Sequence, residues 1–244
     1  MKPIQTSTEK PAPLLVFGAH PDDIEFGCGG VVARETSGGR SAHFVVCSRG
    51  EAASHGTPEQ RQDEARKSAG ILGATIEFIE LGGDAHLEVS VARTIQVASV
   101  IRRIRPGIVL GPTLNRNQHP DHSQLGHMVQ DAARLARYAG MDELRGLPPH
   151  AIDALLFYAI TPEAEPKDCT AMLIDVSAPE IMGLWTAAMT AHASQVAARS
   201  YVEMQLNRAR LRGLSAGVTN AIALFAADPL VVDSLANIRG ARGF

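Results

Sequence analysis

The sequence predicts an α/β protein whose mainly parallel sheet carries helices on both faces. Short apolar runs alternate with helix-like segments, at spacings that suit β–α–β crossovers. The chain has 244 residues, 45% of them hydrophobic and 20% charged, which is enough for a large buried core. We find no internal repeat and no low-complexity tract that would indicate another architecture.

One domain is expected over residues 1–244, because no linker-like stretch divides the chain. Within this domain, residues 1–13 form a polar lead-in that contains prolines. Residues from about 177 to 244 form a C-terminal elaboration, and its tail from Ser200 onward has a less regular pattern.

The first half of the chain alternates between buried strands and helices with recognisable ends. A proline at the first helical position, after the capping residue Thr57, favours a helix that ends at Gly73. The preceding helix is expected to end at Gly38 and Gly39, as this one ends at Gly73. The predicted strands are 14–17, 42–47 and 75–81, and the predicted helices are 26–37, 58–72 and 89–104.

The second half continues the alternation. The run Ile108–Leu110 lies between two glycines and predicts a buried strand, and residues 123–139 follow it as a helix. Further apolar runs predict strands at 155–160 and 172–176, and a long helix is predicted at about 179–197.

Composition excludes several classes of protein. A net charge of −3 and a pI near 6.3 argue against a dedicated nucleic-acid binder. Cys28, Cys47 and Cys169 are widely spaced and do not form a disulfide framework. We find no apolar run of membrane-spanning length and no signal peptide, so a cytoplasmic location is expected.

Two polar clusters follow predicted strands, where α/β sheets bind their ligands. The first cluster is His20-Pro21-Asp22-Asp23 with the residues around it, and the second is Asn117-Gln118-His119-Pro120-Asp121-His122. His-Pro-Asp alone is a common turn, but two such turns at strand ends favour a metal site. Two imidazoles and one carboxylate, with a position left open for water, make a catalytic zinc site.

A spare carboxylate beside such a site is placed to accept a proton from water. Asp22 and Asp23 are adjacent, so one of them can bind metal while the other faces the space beside it. The residue pattern by itself leaves open whether His119 or His122 is the second imidazole ligand.

The run AHPDDIEFGCGG, with HPDH about a hundred residues later, resembles the zinc-dependent N-deacetylases of the LmbE/PIG-L type. The segments 48–73 and 191–195 resemble further blocks of that family, so the resemblance covers most of the chain. The greatest similarity is to the branch that deacetylates N-acetylglucosaminyl-malate in bacillithiol synthesis. This resemblance implies a Rossmann-like fold.

The resemblance also implies roles for single residues. His20, Asp23 and His122 match the ligands of one zinc ion per chain, although another divalent metal is compatible with them. Asp22 matches the general base. His119 matches the imidazole that stabilises the oxyanion and assists departure of the amine, and Asp121 matches the carboxylate that supports this imidazole.

The expected reaction is hydrolysis of the N-acetyl amide of an N-acetylglucosamine-type small molecule. Arg49 and Glu51 follow the second strand and are expected to bind substrate. The resemblance also implies a homo-oligomer, with a hexamer as one form. Alternatives are the same chemistry on another amide, as in a thiol-conjugate amidase or an antibiotic-tailoring deacetylase, and a sugar-binding α/β protein without catalysis.

Overall fold

The computed structural model describes residues 10–116, 119–197, 200–232, 234 and 238–241. Seven strands form one sheet: β1 (Leu14–Gly18), β2 (Ala42–Val46), β3 (Ala74–Phe78), β4 (Ile108–Pro112), β5 (Ala154–Tyr158), β6 (Met172–Asp175) and β7 (Ala221–Ala226). The α-helices are α1 (Asp23–Ser37), α2 (Pro58–Ile71), α3 (Val91–Ile104), α4 (Pro120–Leu135), α5 (Pro179–Thr190), α6 (Ala193–Val196) and α7 (Tyr201–Ala216). Among the described residues, no helix is long and apolar enough to cross a membrane.

The strand order is β3-β2-β1-β4-β5-β7-β6. Strands β1 to β5 pair in parallel, whereas β7 is antiparallel to both β5 and β6. One hydrophobic cluster packs α1, α5 and α7 against one face of the sheet, and a second packs α3 and α4 against the other. The predicted class, a mainly parallel α/β sheet with helices on both faces, is therefore confirmed.

The order of the strands places the two polar clusters side by side. From β1 the chain adds β2 and then β3 on one side of β1, and it adds β4 on the other side. The carboxyl ends of β1 and β4 therefore flank the point where the order reverses. Such a point leaves a crevice between neighbouring loops, and ligands of open α/β sheets bind there.

Both helices that follow these strands begin earlier than the sequence pattern predicts. Helix α1 begins at Asp23 and α4 begins at Pro120, each three residues before its predicted start. At α4 the ring of His119 acts as the N-cap and accepts a hydrogen bond from the amide of Asp121. The sequence pattern predicts loop for these polar residues, but they form first helical turns, where exposed N–H groups suit acidic side chains.

The C-terminal segment is more regular than predicted. The predicted helix 179–197 is divided into α5 and α6, and the tail contains the sixteen-residue helix α7. The apolar run of β7 then fills the gap between β5 and β6, where its first five residues are buried. The sequence pattern of the tail is less regular because α7 buries few residues, so its apolar periodicity is weak.

Arg102 is a buried charged residue that stabilises the end of α4. It is 2% exposed, and its guanidinium donates to the carbonyl oxygens of Ala136, Tyr138, Leu144 and Leu147. The positive charge lies at the carboxyl end of a helix, where the helix dipole favours it.

Replacing Arg102 with Ala is expected to lower the free energy of unfolding by at least about 3 kcal/mol, because four carbonyls, two of them in buried hydrogen bonds, lose their donor. Arg103 is a matched control, since it is exposed and pairs with Glu77 at the surface. Its replacement with Ala should cost less than about 1 kcal/mol. Urea unfolding measures both values, and equal losses would contradict a structural role for Arg102.

Candidate metal centre and its cavity

The two polar clusters meet at the carboxyl edge of the sheet. His20 lies in the loop after β1, and Asp23 opens α1. Asp121 and His122 lie in the first turn of α4, which follows β4. All four residues are buried, with 5% exposure or less. The fold therefore brings residues about a hundred positions apart into one site.

Asp23 is held in a single orientation by the backbone. Its Oδ2 accepts hydrogen bonds of 2.9 Å from the amides of Ala19 and His20. Its Oδ1 lies 3.1 Å from Nε2 of His122. Burial opposes the charged form, but the imidazoles of His122 and His20 hold the pKa of Asp23 well below its usual value. Asp23 therefore presents an ionised oxygen to the two imidazoles.

His20 is surrounded by carboxylates. Its Nδ1 is 3.4 Å from Oδ2 of Asp23, and its Nε2 is 3.2 Å from both Oδ1 of Asp84 and Oδ2 of Asp121. Burial lowers the pKa of His20, but these carboxylates outweigh it and raise the pKa well above the usual value. Both ring nitrogens of His20 therefore face carboxylates, and a cation would bind one of them in place of a proton.

The donor atoms of His20, Asp23 and His122 suit a divalent metal ion. They are buried and all lie within 4.8 Å of one another. Two imidazoles and one carboxylate form a common ligand set for catalytic zinc, which keeps its fourth position for water or substrate. A second group, His20, Asp84, His119 and Asp121, is equally compact and shares His20 with the first. The residues present therefore fit the metal that the sequence predicts.

Asp22 has an unusual backbone conformation. Its φ of 122° lies in a region that non-glycine residues rarely adopt. Its Oδ2 accepts a hydrogen bond of 3.2 Å from Nη2 of Arg61, and its side chain lines the adjoining cavity. Burial raises the pKa of Asp22 to about 6, with Arg61 opposing the shift and Asp23 adding to it.

His119 lies at the edge of the same cavity. Its side chain is 30% exposed, and its Nε2 is 3.4 Å from Oδ1 of Asp84. Oδ2 of Asp121 is 3.9 Å from Nδ1 of His119 but only 3.2 Å from His20, and it also accepts from the amide of Ala85. The structure thus brings Asp121 closer to His20 than to the imidazole that it was expected to support.

Two residues of the site were not among the predicted ones. Arg61, in the first turns of α2, is 4% exposed and donates to Asp22 and to the carbonyl of Pro21. Asp84, in the loop after β3, contacts the rings of His20 and His119. In the sequence Arg61 is one of several charged residues on a helix, and Asp84 follows two glycines in a loop. Arg61 also lies in the segment 48–73 that resembles a block of the family, but neither pattern assigns these two residues to the site.

The candidate metal ligands and Asp22 line a cavity of about 340 Å³. The apolar part of its lining is made by Phe26, Ile160, Tyr201 and Met204. Residues 52–55 and Gln195 also line it. Arg49 and Glu51 do not line this cavity. They line a neighbouring depression, which adjoins the cavity at Ala52 and Asp84.

Glu51 connects two loops in the structure. Its Oε2 accepts hydrogen bonds from the amides of Arg49 and Asp84, at 3.0 and 3.2 Å. Burial raises the pKa of Glu51, but these bonds outweigh it and lower the pKa below its usual value.

Of the predicted second cluster, Asn117 and Gln118 lie outside the described residues.

Comparison with known proteins agrees with this geometry. Residues 15–133, which include both polar clusters, match the family described as PIG-L: GlcNAc-PI de-N-acetylase. Diacetylchitobiose deacetylase of Thermococcus kodakarensis is 33% identical over 158 residues, which are 59% of each chain. 4-Oxalmesaconate hydratase of Pseudomonas putida is 29% identical over 170 residues, which are 64% of this chain and 62% of the hydratase. The matches therefore span about three fifths of these two relatives.

A solved structure is similar over a greater length. The conserved protein TT1542 from Thermus thermophilus is 30% identical, with a TM-score of 0.81. The superposition covers 91% of this chain and 97% of the Thermus protein. The similarity to the Thermus protein therefore extends well beyond residues 15–133, the part of the chain that matches the PIG-L family model.

Proposed function

We propose that this protein is a metal-dependent N-deacetylase that acts on an N-acetylglucosamine-type substrate and releases acetate and a free amine. The observation that carries the proposal is the meeting of His20, Asp23 and His122 beside the separately held carboxylate of Asp22, in the lining of a cavity. The similarity to a diacetylchitobiose deacetylase supports the substrate class.

His20, Asp23 and His122 would hold one ion per chain, with zinc as the proposed metal. When bound, the ion would polarise the amide carbonyl and make water more acidic. Oδ1 of Asp23 is the carboxylate oxygen that would face the ion, because Oδ2 accepts hydrogen bonds from two backbone amides. Nε2 of His122 lies 3.1 Å from Oδ1, and Nδ1 of His20 lies 3.4 Å from Oδ2.

Asp22 would accept the proton of the attacking water. A carboxylate whose pKa is near 6 is mostly ionised at neutral pH, yet it is a stronger base than an ordinary aspartate. The hydrogen bond from Arg61 holds the carboxylate at the cavity wall. The proton must then reach the amide nitrogen, since an amine leaves only after protonation.

His119 would stabilise the developing oxyanion and assist departure of the amine. Its ring is partly exposed and lines the cavity, and Oδ1 of Asp84 lies beside its Nε2. Asp121 belongs to the same cluster of carboxylates, and its Oδ2 lies 3.9 Å from Nδ1 of the His119 ring. Charged donors in a partly buried site stabilise an oxyanion more strongly than water does.

An acidic aglycone, as in N-acetylglucosaminyl-malate, is our finer proposal for the substrate. Arg49 lies in the depression that adjoins the cavity, and its side chain is 51% exposed. A substrate that reaches past Ala52 could pair its carboxylate with this guanidinium. Glu51 would act on substrate indirectly, by holding the loop that carries Asp84.

Replacing Arg49 with Ala is expected to raise the KM for an acidic N-acetylglucosaminide several-fold and to leave the KM for a neutral methyl glycoside unchanged. Steady-state kinetics on both substrates measure the difference. Arg66 is a control, since it is an exposed arginine on α2 that pairs with Asp63. Equal effects of Arg49→Ala on the two substrates would contradict recognition of an acidic group.

A hydratase is the second candidate, because 4-oxalmesaconate hydratase is 29% identical over 64% of this chain. A metal ion with an adjacent base also suits addition of water to a carbon–carbon double bond. The test is to assay the zinc-loaded protein in parallel on N-acetylglucosaminides, by acetate and amine release, and on unsaturated dicarboxylates, by loss of their ultraviolet absorbance. Equimolar acetate and amine support the deacetylase, and hydration without amine release would overturn it.

A further inference from the structure

The segment between α5 and α7 contacts residues beside the cavity. The amide and hydroxyl of Ser194 donate to the carboxylate of Glu64 on α2, at 2.9 and 2.6 Å. Nε2 of the neighbouring Gln195 donates to the carbonyl of His55 at 2.9 Å and to Oγ of Ser194 at 3.0 Å. This segment is therefore fixed both to helix α2 and to the loop of residues 52–55.

These contacts determine which way the amide of Gln195 faces. The carbonyl of His55 can only accept a hydrogen bond, so the nitrogen of the amide must face it. The hydroxyl of Ser194 donates its one hydrogen to Glu64, so its oxygen can only accept a hydrogen bond from Gln195. A flipped amide would place two oxygens against each other at both contacts.

Oε1 of Gln195 is the part of this amide left for a ligand. No residue among the described ranges donates to it, and Gln195 is one of the residues that line the cavity. Because the amide nitrogen is already held by two hydrogen bonds, Oε1 can bind a donor with little further loss of side-chain entropy. Apart from the amide that is cleaved, the donors of an N-acetylated sugar are its hydroxyl groups.

We propose that Gln195 is a substrate-binding residue whose Oε1 accepts a hydrogen bond from one hydroxyl of the sugar ring. This inference rests on the proposed deacetylase function and deepens it, since it names a residue that selects a hydroxylated substrate. The apolar residues Phe26 and Met204 line the same cavity, so the sugar ring would meet both a polar and an apolar surface.

The experiment compares methyl N-acetyl-β-glucosaminide with its three deoxy analogues, which lack the hydroxyl on carbon three, four or six. Amine release gives kcat/KM for the unsubstituted enzyme and for Gln195→Ala. The substitution should lower kcat/KM about two- to tenfold on the parent glycoside, the worth of one neutral hydrogen bond. On one of the three analogues it should have no effect, because the partner hydroxyl is already absent.

Two further variants separate binding from structure. Gln195→Asn withdraws the oxygen by one methylene and should reproduce the hydroxyl-specific loss, even if Gln195→Ala does not fold. Gln60→Ala is the matched control, since this exposed glutamine donates to the same Glu64 but does not line the cavity. It should change kcat/KM equally little on all four glycosides.

The outcomes for the two proposals are distinct. Amine release by the unsubstituted enzyme, with a loss in the Gln195 variants that is uniform across the four glycosides, would overturn the role of Gln195 and leave the deacetylase function standing. Absence of amine release from every glycoside, with one metal ion bound per chain, would overturn the function and this assignment together.

Discussion

Replacing Asp22 with Asn is expected to lower kcat about 10²- to 10⁴-fold while the metal content stays unchanged. The neutral amide keeps the size of the side chain and can still accept the hydrogen bond from Arg61. It cannot accept a proton from water, so the chemical step loses its base. Steady-state kinetics and metal analysis on the same preparation measure the two quantities.

The matched control for this substitution is Asp63→Asn. Asp63 is an exposed aspartate on α2 that pairs with Arg66, and it lies outside the cavity. Its replacement should leave both kcat and metal content as they are. If Asp22→Asn loses metal and activity together, Asp22 is a ligand and a different group is the base.

Replacing His122 with Ala is expected to remove the metal almost completely, from about one ion per chain to near zero after dialysis. Two ligands in an open site bind a divalent ion far more weakly than three. The loss of activity should follow the loss of metal. Elemental analysis of dialysed protein gives the metal content.

His127 provides the control on the same helix, since it is exposed and lies in the middle of α4. His127→Ala should retain the full metal content. A His122→Ala protein that still holds one ion per chain would show that the ion binds elsewhere, and the group that contains Asp84 and His119 would then be the first alternative.

Much of the site could be predicted because it depends on two short segments at neighbouring strand ends. His20 and Asp23 follow β1, His122 follows β4, and parallel pairing of β1 with β4 brings these positions together. The alternation of strands and helices is visible in the sequence, and so is the position of these residues at strand ends. The orientation of Asp22 could not be predicted from the sequence, because no residue pattern indicates a positive φ at an aspartate.

The missing parts depend on tertiary contacts. Arg61 is recognisable only once α2 packs beside the loop after β1 and places its guanidinium on Asp22 and Pro21. Asp84 reaches the imidazoles because Glu51 and Asp121 hold the backbone of its loop. Such contacts have no local signature.

The most direct test of the metal centre is anomalous diffraction from crystals of the zinc-loaded protein, with data on both sides of the zinc absorption edge. We expect one strong peak per chain, at about 2.0–2.2 Å from Nδ1 of His20, Oδ1 of Asp23 and Nε2 of His122. Asp22 should lie close to that peak without contacting it as a ligand. A peak coordinated instead by Asp84, His119 and Asp121, or no peak at full zinc loading, would contradict the proposed centre.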